Sequence, residues 1–477
     1  WGFFILFLGT VVIFAQDSLI RPLLGLKFLQ GTFYLVFKIT LDFSGIVALV
    51  GILMGIYRRY VLKPSKLDSK PEDGFIFLII LLIILSGFSL EGLRLSVTKP
   101  PESLWSPVGF FFQFFFESVF SESWRLVFHR TLWWGHLGLA FFFISYLPFS
   151  KLLHMFSSSL NIFVNSIDSP VYLRPLDFNA ERFGVNQIKD FEWDSLLALD
   201  ACTECGRCQI ACPAHLSEKP LNPKKLILEL RKRMRKEARF LSHHENFMDL
   251  IGDTISEEEI WACTTCLNCV RQCPVFIEPM RTIMDLRRHQ ILMKSRILPE
   301  IERVFRNLEW FGDPVGMGKI SRDELTQSIK IGQIKSDDPV DFLFWVGCQG
   351  YFHERNRKTI NTLLRLFQKL NLKFTILGRE ETCCGDVARR MGNEYLFKKI
   401  AEENMQLFNR RGITKIVTHC PHCFNVFKNE YPQFGGKLEI SHSTELLRKL
   451  VNKTRPDLKG NVIRVTFHDP CYLSRYN

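Results

Sequence analysis

The chain of 477 residues carries 61 Lys and Arg against 49 Asp and Glu, a formal net charge of +12, and 14 cysteines. That length is too great for one core and predicts two or three domains. Every long apolar run falls before about residue 165, which excludes a wholly soluble protein and leaves a membrane anchor followed by a soluble half.

Four apolar segments read as spans, at about 1–15, 33–57, 74–97 and 131–153. The first is too short as it stands, and with Trp1 opening the chain and no basic leader it is expected to be truncated. Buried core helices are the alternative, against which several Phe- and Leu-rich stretches in series argue. The connection after the second span carries Arg58, Arg59, Lys63, Lys66 and Lys70, whereas 16–32 and 98–128 are poor in Lys and Arg. The basic loop, and with it the soluble half, is therefore expected on the cytoplasmic side of the inner membrane. No histidine precedes His129, and the last span offers His136 and His154. If that span is one helix they lie about five turns and roughly 27 Å apart on one face. Neutral imidazole is a usual axial ligand of haem iron, and an ionisable residue within a span is functional by default. Both are candidate haem ligands, an interfacial histidine being the alternative, and His129 reads as interfacial.

After a polar linker (166–194), eight cysteines form two copies of one run, Cys202-xx-Cys205-xx-Cys208-xxx-Cys212-Pro213 and Cys263-xx-Cys266-xx-Cys269-xxx-Cys273-Pro274. Three thiolates of such a run hold three corners of a 4Fe-4S cubane, and the fourth reaches the other cluster. Cys202, Cys205, Cys208 and Cys273 are thus assigned to one cluster, and Cys263, Cys266, Cys269 and Cys212 to the second. Structural zinc favours separated Cys-x-x-Cys pairs, and disulfides do not suit a cytoplasm-facing chain. Helices are expected at 222–240 and 278–296, an interval too long for the hairpins of a compact ferredoxin. The run Lys224, Lys225, Arg231, Lys232, Arg233, Arg235, Lys236 and Arg239 reads as a solvated basic face near anionic headgroups, with docking of an acidic partner as the alternative. Nucleic acid is not indicated.

A second linker (301–337) precedes alternating β-rich and helical stretches. Val340–Val346, Lys373–Leu377, Lys415–Thr418 and Val462–Phe467 are the expected strands of a largely parallel α/β layer. Each is followed by cysteine: Cys348, then Cys383 and Cys384, then Cys420 and Cys423, then Cys471. Carboxyl ends of parallel strands share one edge, so these thiols are expected to converge as a metal site. Inert buried cysteines or a redox dithiol are the alternatives, and His419 and His422 flank the site.

Three segments resemble known families. Trp133-Trp134-Gly135-His136 and Leu147 to His154 resemble the membrane subunit of respiratory nitrate reductase, in which a last-span histidine pair binds two b haems. That family carries the partner histidines on an early helix, where this chain has Thr10, so the resemblance implies one haem b or two, through His154 first and His136 second. The doubled cysteine run with its long helical interval resembles the helical ferredoxin domain of succinate dehydrogenases and heterodisulfide reductases. Cys348, Cys383-Cys384-Gly385 and Cys420-Pro421-His422-Cys423 resemble the cysteine-rich (CCG) domain of heterodisulfide reductases, which implies that Cys348, Cys383, Cys384, Cys420 and Cys423 hold a noncubane 4Fe-4S cluster. His468-Asp469-Pro470-Cys471 looks like the opening of a second, truncated copy. The fold class expected is therefore multidomain: an α-helical transmembrane bundle (1–165), a helical two-cluster ferredoxin domain (195–300) and an α/β CCG domain (338–477).

The whole order, with Cys420 to Asn425 followed by Lys428 to Gly436, resembles the bacterial membrane iron-sulfur oxidoreductases proposed to link electron-transfer flavoprotein to menaquinone. That resemblance implies a flavoprotein or similar soluble donor, a membrane quinone in the lipid bilayer as acceptor, and two cubanes, one noncubane cluster and haem b between them. The sequence identifies no catalytic acid or base. A disulfide or heterodisulfide reductase coupled to the quinone pool, and a noncatalytic subunit of a larger respiratory complex, are the alternatives.

Overall fold

The computed structural model describes residues 1–65, 67–165, 173–239, 248–318, 322, 340–454, 464 and 466–477. Lys66 of the basic loop and Val462 of the fourth expected strand lie outside them. The chain divides into two units, Trp1–Leu153 and His154–Asn477.

In the first unit four helices are long and apolar enough to cross a membrane: Gly2–Leu24, Gly31–Leu62, Pro71–Thr98 and Glu122–Phe149. The first is longer than the sequence suggests. Helix Gly2–Phe14 runs on through a π-helical turn, Ala15–Ile20, into Arg21–Leu24, and Gly25 closes it at φ 65°. Its 23 residues extend about 35 Å, enough for a hydrocarbon core of roughly 30 Å. Gln16 and Asp17 look like a loop in sequence, but Gln16 is buried and its Oε1 accepts a hydrogen bond from the Leu29 amide at 2.6 Å. The stretch 98–128, read as a connection, contains helix Pro107–Val119. Asp42 accepts the Val108 amide at 2.7 Å, so a carboxylate from a neighbouring helix satisfies its first turn.

Small residues let these helices touch. A Cβ on Gly92 would lie 2.4 Å from Cβ of Phe112, and one on Gly2 would lie 2.5 Å from the Ser44 carbonyl oxygen. Buried charges are paired, with Glu91 taking Lys38 at 3.3 Å and Arg94 at 2.8 Å.

The last span ends before His154. Helix Glu122–Tyr146 gives way to 3-10 turns at Leu147–Phe149 and Lys151–Leu153, separated by extended Ser150, and His154 opens a new helix, His154–Val164. Pro148 lacks the amide a continuing helix requires. His136 and His154 therefore do not share one helix, and the five-turn spacing expected from sequence does not describe them.

In the second unit, helices Pro223–Arg239 and Pro279–Leu292 bury Leu226, Ile227, Leu230, Ile283 and Leu286 in one core with Cys212. The basic run on the first of these helices is a solvated face only in part: Lys225, Lys232 and Lys236 are exposed. Lys224 and Arg231 are buried, Arg233 pairs with Glu237 and Asp253, and Arg235 with Asp200. Helix Pro299–Phe311 follows, with Ile301, Phe305 and Leu308 in the next core.

The sheet is four-stranded and parallel: β1 (Phe342–Trp345), β2 (Phe374–Thr375), β3 (Lys415–Thr418) and β4 (Glu439–His442), in the order β2-β1-β3-β4. Alternate β1 residues enter two cores. Leu343 and Trp345 join Phe397 and Phe408 of helix Glu394–Arg410, and Phe342 and Phe344 join Leu364 and Phe367 of helix Glu354–Lys369. The described residues of 462–467 form no strand, and the fourth position belongs to β4 instead. Apart from that exchange the three-part fold class is the one read from the sequence.

Candidate metal centre

Each cysteine run curls through the same two left-handed positions, Glu204 (φ 54°) and Gly206 (φ 74°) in the first, Thr265 (φ 51°) and Leu267 (φ 59°) in the second. Such left-handed positions aim neighbouring backbone N–H groups into one concavity, the kind that receives the sulfurs of an iron-sulfur site. Cys202, Cys205, Cys208 and Cys273 line one cavity, whose wall Cys269 of the second run also reaches. Within that group burial, followed by Cys202, Cys273 and Cys205, pushes the Cys208 thiol up to about 12. In the other group burial and then Cys263, Cys266 and Cys208 push Cys269 up, with Cys212 also in range. Cys212 is raised first by burial and also senses Cys266. The last cysteine of each run therefore sits with the first three of the other.

Thiolates that raise one another's pKa need a cationic centre among them to stay ionised together. Among the described residues no three His, Cys, Asp or Glu side chains close tightly enough around a point for a single metal ion. A cubane places each thiolate on a different iron, so its ligands stand further apart, and the two quartets fit that donor set.

The third group follows the strands. Cys348 opens a short helix after β1, Cys383 and Cys384 come after β2, and Cys420 and Cys423 after β3. Cys423 and Cys384 sulfurs are 3.4 Å apart, and a Cβ on Gly347 would lie 3.4 Å from the Cys423 sulfur. Contact with the Cys383 thiol, then burial, raises Cys348. A hydrogen bond from the Cys423 thiol holds Cys420 down at about 6. Gly385 adopts φ 85°, and its amide donates to the Cys383 sulfur at 3.4 Å. Fully buried Glu381 accepts the Val346 and Gly347 amides at 3.2 and 2.6 Å, and burial pushes it up to about 7. The five thiols thus converge as the strand order requires.

Cys471, the cysteine of the fourth expected strand, does not join them. It packs beside Cys263, Cys269 and Leu267, and Arg475 donates to its sulfur at 3.2 Å. Its neighbour Tyr472 bridges the two regions, with its hydroxyl 2.7 Å from Thr265 Oγ1 and its ring stacked 3.9 Å from His422. His422 Nδ1 is 2.7 Å from Asp386, whereas His419 turns to Ser443 at 2.8 Å. Arg287 and Asp386 escaped the sequence reading, and Arg231 and Tyr472 were read there only as part of the basic run and of the truncated repeat. The parallel placement of Arg231 and Arg287 after the two runs was the available signal.

In the membrane unit, Ser86 Oγ is 2.7 Å from His136 Nδ1. A hydrogen bond at one ring nitrogen orients an imidazole for ligation through the other, which fits His136 to an axial role.

Every cysteine except Cys471 falls into one of three thiol groups, on a chain that also carries four membrane-type helices among the described residues. These features define a membrane-associated iron-sulfur oxidoreductase. Comparison with known proteins matches residues 1–169 to the nitrate reductase gamma subunit, 196–274 to the 4Fe-4S dicluster domain and 342–428 to the cysteine-rich domain. "EtfAB:quinone oxidoreductase" of Syntrophomonas wolfei is 36% identical over all of this chain and 72% of its own length. "Probable iron-sulfur-binding oxidoreductase FadF" of Bacillus subtilis is 32% identical over all of this chain and 73% of its own. One subunit of the dihydromethanophenazine:CoB–CoM heterodisulfide reductase of Methanosarcina acetivorans is 26% identical over 59% of this chain and 70% of its own. No solved structure matches the chain. The chain belongs to the family of membrane iron-sulfur oxidoreductases that the first two relatives represent.

Proposed function

We propose that the chain takes electrons from a reduced cytoplasmic flavoprotein, of the electron-transfer flavoprotein kind, and delivers them to menaquinone. The observation that carries this reading is the similarity along the entire chain to an EtfAB:quinone oxidoreductase, together with three thiol groups in series after the membrane helices. Cys202, Cys205, Cys208 and Cys273 hold one 4Fe-4S cluster, Cys212, Cys263, Cys266 and Cys269 the second, and Cys348, Cys383, Cys384, Cys420 and Cys423 the noncubane cluster. His136 and His154 are the haem b ligands, and the iron-sulfur domains face the cytoplasm. When bound, these groups supply one-electron redox chemistry, so that two electrons leaving the flavin reduce the quinone with uptake of two protons. The protein's own part is to hold the sites in line, exclude water from them and fix their charge surroundings.

Stopped-flow mixing of the quinone-loaded protein with reduced electron-transfer flavoprotein tests this reading. Rapid flavin oxidation with quinol formation is expected; no transfer in protein retaining its iron and haem would overturn it. Cleavage of a disulfide in the same protein would instead favour the heterodisulfide reductase reading, which the similarity to the Methanosarcina acetivorans reductase supports over the soluble half. Replacing His136 with alanine is expected to diminish the b-type haem spectrum. A spectrum unchanged in both His136→Ala and His154→Ala would remove haem from the proposal.

A further inference from the structure

Helix His154–Val164 is amphipathic in the reverse sense to a surface helix of a soluble domain. Its buried residues are Ser157, Ser158 and Asn161, whereas Met155, Phe156, Leu160, Ile162 and Phe163 are exposed, Phe156 at 61% and Phe163 at 85%. An ordinary surface helix turns its apolar stripe to the core and its polar face to water. Here the polar stripe is the one that the protein covers, and the apolar one is left outside.

The polar side is bonded to the dicluster domain. Ser157 Oγ donates to the Asp200 carbonyl at 2.9 Å and Asn161 Nδ2 to the Val275 carbonyl at 2.7 Å, and just past the helix Asn165 Nδ2 donates to the Phe276 carbonyl at 3.0 Å. Asp200 stands two residues before Cys202, and Val275 and Phe276 stand two and three after Cys273. The helix thus grips the backbone beside two thiols of the first quartet. On the exposed arc the one polar side chain, Ser159, returns its hydroxyl to the Met155 carbonyl at 3.0 Å, so that it needs no water. The helix contains no Asp, Glu, Lys or Arg.

The reach of the chain identifies what meets the apolar arc. The last membrane-type helix ends at Phe149, and His154 follows five residues later, a distance of at most about 18 Å even in fully extended chain. Eleven residues make a helix of about 16 Å, too short to cross a hydrocarbon core of roughly 30 Å, so it lies along the membrane surface and does not enter as a span. A large apolar arc that opens this close to the end of a span meets headgroups and acyl chains. We infer that helix His154–Val164 lies in the lipid interface, with Met155, Phe156, Leu160, Ile162 and Phe163 dipped into the acyl boundary, and that it fastens the first quartet to the bilayer surface. The lipid contact is independent of which donor and acceptor the chain serves. A second step rests on the reading that each quartet holds a cluster: the site of Cys202, Cys205, Cys208 and Cys273 is then the one of the two nearer the lipid.

Photocrosslinking of the full chain in phospholipid nanodiscs tests the lipid contact. The photoreactive residue p-benzoylphenylalanine replaces Phe156 or Phe163, both exposed, and mass spectrometry identifies what it captures after irradiation. Lipid adducts are expected at both positions. Phe141, exposed on the last membrane-type helix, supplies the positive standard, and Tyr395, exposed on helix Glu394–Arg410, the negative one. Capture of another stretch of the chain or of a second copy in place of lipid would overturn the inference, as would no adduct at either position while Phe141 labels. The second step is read by electron paramagnetic resonance of the dithionite-reduced protein in nanodiscs whose lipid headgroups carry chelated gadolinium. The cubane signal that Cys273→Ser removes should be the more strongly relaxed of the two. The reverse order would overturn the placing of the first quartet, and absence of both signals would count against the cluster reading, with the crosslinks still deciding the lipid contact.

Discussion

Cys273→Ser is expected to abolish the cluster of the first cysteine run and to spare that of the second, although Cys273 belongs to the second run in sequence. Burial raises the Cys273 thiol and Cys205 lies within its electrostatic range, while the Ile277 amide donates to its sulfur at 3.3 Å. Cys202 and Cys208 both sense Cys273 in turn. Serine oxygen is a harder donor than thiolate and a poor substitute on iron-sulfur clusters. About half of the cubane iron, ~4 atoms, should be lost. Cys212→Ser should remove the other cluster's signal, and the five-thiol site should be unaffected by both. If Cys273→Ser and Cys263→Ser extinguish the same signal, the crossed partition is wrong and each run serves its own cluster.

The proposed partition comes from the sequence because ligation fixes spacing, and a doubled run with two terminal prolines leaves little freedom. The strands that precede Cys348 and Cys420 were legible for a related reason, since both faces of a central parallel strand are covered and β1 reads as a continuous apolar run. Strand β4 was not. It lies at the sheet edge, half-covered, and its Glu-Ile-Ser-His sequence carries neither an apolar run nor a strict alternation. The first membrane helix was cut short because Gln16 and Asp17 look like a loop, yet a tertiary hydrogen bond to Leu29 satisfies Gln16. The basic helix was read as solvated because periodicity reports which face is apolar and is blind to partners. Asp200, Glu204 and Asp253, which pair with Arg235, Arg231 and Arg233, are brought in by folding. Leu267 holds a left-handed conformation that its glycine counterpart, Gly206, advertises and leucine does not.

Glu430→Ala is expected to be the most destabilising single substitution in the soluble half. Glu430 is fully buried; one carboxylate oxygen accepts Arg389 Nη1 at 2.9 Å, and the other accepts Arg390 and, at 3.2 Å, Asn425. Arg389 continues to Glu394 at 3.2 Å, which takes Arg288 of helix Pro279–Leu292 at 2.6 Å, and Arg390 continues to Asp386 at 3.1 Å. A chain of alternating charges thus runs from the helix behind the second cysteine run to the carboxylate beside His422. Removing one partner of a buried pair leaves the other charge in low dielectric and costs about 3–5 kcal/mol. Glu430→Ala takes a carboxylate from two buried guanidiniums at once, leaving Arg389 to Glu394 and Arg390 to Asp386, and Arg390 Nη1 already lacks a partner. Glu430→Gln keeps hydrogen-bonding atoms without the charge and should fall between alanine and the native residue. Thermal unfolding followed by the loss of cluster absorbance measures the effect, with Glu380→Ala as the comparison, because its pair with Arg411 is solvent-exposed and should be nearly silent. Because the network ties the dicluster helices to the sheet, Glu430→Ala should bleach the second cubane and the five-thiol site in one transition at lowered temperature. A midpoint no lower than that of Glu380→Ala would mean that apolar contacts, such as the core around Phe397 and Tyr431, hold the two domains in register without the charge network.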